Sequence, residues 1–77
     1  MPTIFRDGPY RFYFFSHEPN EPPHVHVDRD ERTIKVWLEP VIMAKNQGFR
    51  GHEINVILDI VELNRESLLE AWHEYFG

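Results

Sequence analysis

His24-Val25-His26-Val27-Asp28-Arg29-Asp30-Glu31-Arg32-Thr33-Ile34-Lys35-Val36-Trp37-Leu38 is the stretch that decides how this chain folds. Neighbouring side chains of a strand point to opposite faces. Strict alternation over His24–Asp28, and again over Thr33–Leu38, predicts two strands. The polar Arg29-Asp30-Glu31 segment between them closes a hairpin. Val25, Val27, Ile34, Val36 and Leu38 then face a core. His24, His26 and Asp28 share the opposite face, and parity adds Lys35 and Trp37 to it.

Upstream, Asp7-Gly8 separates Thr3–Arg6 from the aromatic run Tyr10–Ser16. An Asp-Gly pair between strand-like runs signals a second hairpin, because both residues tolerate positive φ. Pro9 lacks a donor, so the following strand starts at Tyr10. Tyr10, Phe12 and Phe14 fall on one face, with Arg11, Tyr13 and Phe15 on the other. Aromatics on both faces predict a central strand. Three prolines in His17–Pro23 exclude regular structure there.

Downstream, Glu39-Pro40 ends the fourth run, and Val41–Ala44 reads as an edge strand or an extended connector. Gly48 marks a turn. Phe49-Arg50-Gly51-His52-Glu53 reads as a helix entrance, with Glu53 three residues after Arg50 as in a capping box, although arginine is a poor cap. Ile54, Ile57, Leu58, Val61, Leu68, Trp72, Tyr75 and Phe76 recur at helical spacing. One continuous helix over 53–76 would be about 36 Å long. A break or bend at Asn64-Arg65 is therefore favoured. The expected fold is α+β: one domain over residues 1–77, with a small antiparallel sheet of three to five strands in 1–45. One long or bent C-terminal helix over 50–76 packs on that sheet.

With 77 residues the chain hides only about 60% of its unfolded surface. Six phenylalanines, three tyrosines and two tryptophans must supply much of that core. Trp72, Tyr75 and Phe76 are read as core, and His52 and His73 as surface. The absence of cysteine removes disulfides and thiolate metal sites. The opening residues carry neither a basic n-region nor an apolar h-region, and no apolar run reaches the ~20 residues needed to cross a bilayer. A cytoplasmic location is the expectation, with no membrane association. A net charge of −5 disfavours nonspecific nucleic-acid binding, which needs clustered cations.

The chemistry-bearing motif is Pro22-Pro23-His24-Val25-His26-Val27-Asp28. Its bland reading is a pair of half-exposed histidines on a strand surface. A second reading is a divalent metal site, zinc or nickel, with His24, His26 and Asp28 as ligands. Histidines at i and i+2 on a strand share a side, and both metals accept imidazole. His17, Glu18 and Glu21 in the preceding loop are further candidate donors. A third reading is a ribonuclease with His24 and His26 as acid and base, since imidazole titrates near neutrality. Lys35, with Arg29 and Arg32, would then stabilise phosphate. Trp37 and Arg11 are candidate binding-surface residues.

The segments Met1–Arg6, Gly8–Phe12, Glu21–Val27, Gly48-Phe49 and Leu69–Gly77 resemble the DUF4160 family, small prokaryotic proteins of unknown function. The resemblance implies a stand-alone domain and no established activity, cofactor or catalytic residue. It also implies association with a second small domain of the DUF2442 type, in an arrangement like a toxin–antitoxin pair. A small interaction or regulatory module, with that domain or a second copy of itself as partner, is therefore the leading expectation. The metal and ribonuclease readings follow it, and the balance leans away from an enzyme.

Overall fold

The computed structural model describes residues 3–15 and 20–76. Five strands, β1 (Thr3–Asp7), β2 (Tyr10–Tyr13), β3 (His24–Arg29), β4 (Arg32–Leu38) and β5 (Val41–Gln47), precede two helices, α1 (Gly51–Leu63) and α2 (Arg65–Phe76). The strands form one antiparallel meander in the order β1-β2-β3-β4-β5. The α+β class is as expected, and residues 41–47 form an edge strand rather than a connector. The helical region is two helices that part at Asn64, where the sequence favours a break or bend, rather than one long or bent helix. His17 and Glu18 lie outside the described residues.

The first hairpin differs from the Asp-Gly expectation in one respect. Asp7 pairs with Tyr10, so the two-residue loop is Gly8-Pro9. Gly8 alone takes positive φ, +57°, and proline supplies the negative φ that follows. This is the pattern of a type II′ turn, with glycine first. β2 stops at Tyr13 instead of running to Ser16. Phe14, one residue on, turns its ring against Trp72, Tyr75 and Phe76 of α2.

Alternation sorts β3 and β4 as the sequence predicts. Val25 opposes Val36 and Val27 opposes Ile34, and all four are at most 1% exposed. With Phe12, Phe14, Leu38, Phe49, Ile57, Val61, Leu68 and Trp72 they form the core between sheet and helices. Tyr75 is exposed, so the expected C-terminal core trio reduces to Trp72 with Phe76 partly buried. His52 and His73 are exposed.

Two irregularities shape the sheet and its exit. Between Lys35 and Val36 the register of β4 with β5 slips: Val36 opposes Met43, whereas Lys35 opposes Lys45. Ala44 is the extra residue of a bulge, and it reverses the alternation of everything beyond it. Asn46 thereby joins the helix side, where its amide both donates to the Phe49 carbonyl and accepts from the Phe49 N–H. That clasp, with Gly48 at φ +102°, turns the chain from β5 into α1.

No side chain caps α1 at Arg50. Glu53 is engaged elsewhere. Arg29 Nη2 donates to its Oε1 at 3.0 Å, Arg29 Nε lies 2.5 Å from Oε2, and the Tyr10 hydroxyl donates to Oε2 at 2.9 Å. A first-turn carboxylate also suits the helix dipole. α1 ends at Asn64, whose N–H reaches the Ile60 and Val61 carbonyls while its side-chain amide donates to Ile60. Its own carbonyl accepts from Leu68 N–H and so starts α2. One residue thus stops one helix and opens the next.

The Arg29 hydrogen bond holds the Glu53 carboxyl below its ordinary value of 4.5, against the opposing effect of burial. A depressed folded-state value means stability that is fully present above the unfolded value and is lost as pH falls through the folded one. Glu53→Gln is therefore expected to lower the melting temperature at pH 7 and to flatten the loss of stability on acidification. Thermal melts between pH 7 and pH 3 check this; melts parallel to those of the parent contradict it.

Candidate functional site: the open face of the sheet

The alternation that buries the valines sends His24, His26 and Asp28 to the other face, opposite Trp37, Lys35 and Thr33 respectively. Tyr13 of β2 opposes His26 and Arg11 opposes Asp28. The bulge in β5 adds Lys45 and Gln47 beside Lys35 and Thr33. This face is hollowed into a cavity of about 520 Å³, walled by Tyr13, Phe15, His26 and Asp28 on one side and by Thr33, Lys35, Lys45 and Gln47 on the other. Asp30, Glu31 and Arg32 close its end at the hairpin turn. The volume lies within the range of small-ligand pockets, roughly 300–1,000 Å³.

The two histidines share this face but not its environment. Both are buried, His24 completely and His26 to 8% exposure, which corrects the half-exposed reading. The His24 ring lies between Trp37 and Trp72, with centroids 5.5 and 5.0 Å away. Because Trp72 also packs on Phe14, α2 seals the end of the sheet over His24. His24 Nδ1 is 2.9 Å from the Pro22 carbonyl. A carbonyl only accepts, so Nδ1 carries the proton there. His26, two residues on, meets the His24 ring edge-on at 5.2 Å. Its ring stacks on Tyr13 at 5.5 Å and meets the edge of Phe15 at 4.3 Å, and it lines the cavity.

Charged groups around His26 are interlocked. The Tyr13 hydroxyl donates to Asp28 Oδ1 at 2.9 Å, and burial pushes the Tyr13 phenol above its ordinary value of 10.0. The Arg11 guanidinium lies 4.7 Å over the Tyr13 ring, and its Nε donates to Thr3 Oγ1. Lys35 Nζ donates to Glu21 Oε1 and sits 4.8 Å over the Trp37 ring. Glu21 also comes within 4.0 Å of His24 Nδ1.

The structure therefore brings His26, Asp28 and Lys35 to one cavity and Trp37 and Arg11 to its surroundings, while the His24 ring meets His26 edge-on at 5.2 Å but is itself enclosed by Trp37 and Trp72. Arg29 faces the helices, bound to Glu53. Among the described residues no three histidine, aspartate or glutamate side chains are grouped as a metal ion requires. Tyr13, Phe15, Lys45 and Gln47 are cavity residues that sequence reasoning did not single out. The parity of Tyr13 and Phe15 was a usable signal, whereas that of Lys45 depends on the bulge.

These features define a small α+β domain, a five-stranded antiparallel sheet with two helices packed on one face. A family model, Domain of unknown function (DUF4160), matches residues 10–73, and the chain belongs to that family. No curated protein and no solved structure gives a significant match. No described helix is long and apolar enough to cross a membrane.

The different surroundings of the two histidines have a measurable consequence. His24→Ala empties a fully enclosed ring site and is expected to cost on the order of 3 kcal/mol, as for other large buried rings. His26→Ala opens onto an existing cavity and is expected to cost less than half of that. Denaturant unfolding of both variants decides it, and equal losses contradict the assignment.

Proposed function

We propose that this protein is a binding module that engages a protein partner through the open face of its sheet. The observation that carries the reading is the cavity itself. It is formed on the face that α1 and α2 leave open, and it combines an aromatic wall of Tyr13, Phe15 and His26 with a polar wall from β4 and β5. Aromatic anchors beside polar groups are the usual composition of a recognition surface. The family resemblance adds a candidate for the partner, a DUF2442-type domain in a toxin–antitoxin-like pair.

The geometry gives less support to chemistry by the histidine pair. An acid and a base must both reach the reacting group, yet only His26 lines the cavity, and His24 is enclosed with Nδ1 committed to a backbone carbonyl. For a metal ion, the two rings meet edge-on with centroids 5.2 Å apart, but among the described residues no third histidine, aspartate or glutamate is grouped with them.

The test is co-expression with a DUF2442-type domain, followed by size-exclusion chromatography. The parent chain is expected to elute as a complex. Phe15→Glu, which places a charge on the aromatic wall, is expected to elute alone. Gln47→Trp, which fills the cavity from an exposed position, is expected to do the same while keeping the parent melting temperature. Absence of a complex with the parent, or complexes unaffected by both substitutions, contradicts the proposal.

A further inference from the structure

We infer that the β4–β5 wall of the cavity recognises a carboxylate on an acidic peptide segment, with Lys45 as the principal contact. The inference rests on the open face being the working surface, and it specifies the chemistry of what docks there. It starts from the bulge at Ala44. In an unbroken register Lys45 would follow Val41 and Met43 onto the helix side. The extra residue instead places it on the open face, directly opposite Lys35. Like charges directly opposed across a strand pair destabilise a sheet, so the arrangement calls for an anion.

The chain itself provides for one of the two lysines. Glu21, from the proline-rich connector, brings its carboxylate to Lys35 Nζ at 2.5 Å. Lys45 forms no ion pair among the described residues and lies exposed at the cavity wall. Gln47, opposite Thr33, lines the same wall and adds an amide donor, while the Thr33 hydroxyl is engaged by Tyr13. Lys45 and the Gln47 amide are thus donors of this wall.

The acidic residues of the cavity do not occupy that place. Asp28 accepts the Tyr13 hydroxyl on the opposite wall, and Asp30 and Glu31 sit at the hairpin turn. An incoming segment is thus directed along the β5 side. There Ile42, opposite Trp37, is 52% exposed and offers an apolar contact next to the lysine pair. A segment alternating carboxylate and aliphatic side chains complements both features.

The experiment is an NMR titration of the full chain with a blocked peptide alternating glutamate and leucine, at low ionic strength, with inorganic phosphate as a separate arm. The expected result is perturbation of the Lys45 and Lys35 side-chain signals and of the Gln47 amide, weakened by added salt. Lys45→Glu is expected to reduce affinity at least tenfold, and Lys45→Arg to retain it. No response to the peptide, equal affinity in Lys45→Glu, or a response to phosphate alone overturns the inference. If the DUF2442-type partner binds the parent and Lys45→Glu equally, this inference fails while the binding-module reading stands. Peptide binding at Lys45 without any complex has the reverse meaning: the carboxylate site stands and the proposed partner does not.

Discussion

Pairing of β3 with β4 in a single register, valine against valine and histidine against lysine or tryptophan, underlies every other feature of the molecule. A slip of one residue would send His24 and His26 into the core and expel Val25 and Val27 to the surface. Burying four aliphatic side chains in so short a hairpin fixes that register with little ambiguity. Everything else is arranged around it. The helices cover the valine side, and the site forms on the side the valines leave.

Within that frame, the two ends of one strand acquire different roles from the reach of a single helix. Trp72 of α2 folds over the first residue of β3 and converts His24 into part of the packing. His26 remains beside Tyr13 and Phe15 at a cavity. The same division appears among the cations. Arg29 serves the helix side through Glu53, Lys35 is engaged by Glu21, and Lys45 is delivered to the open face by a one-residue bulge. The position of a charge relative to α1, α2 and that bulge, more than its place in the sequence, determines what it can do.

Much of the fold was legible because alternation is a local signal. Val25, Val27, Ile34, Val36 and Leu38 declare their face without knowledge of any neighbour, and the interruption at Asn64 marks where the helices part. The turn at Gly8-Pro9 was legible only in part, since Asp7 proved to be a paired strand residue. The site was less legible because it depends on contacts distant in sequence. The stacking of Tyr13 on His26 requires the register of β2 with β3, across a connector of irregular sequence. The burial of His24 requires the end of α2, nearly fifty residues away. The parity of Lys45 requires a bulge that no residue type in Val41–Gln47 announces.

Whether β3 presents His26 to an open cavity or to the helices can be read from nuclear Overhauser contacts of the His26 ring. Contacts to the Tyr13 and Phe15 rings and to the Lys35 methylenes are predicted, with none to Ile57 or Val61. Contacts from His26 to those two α1 residues, accompanied by exposed Val25 and Val27 methyl groups, would contradict the β3–β4 register and the site built on it.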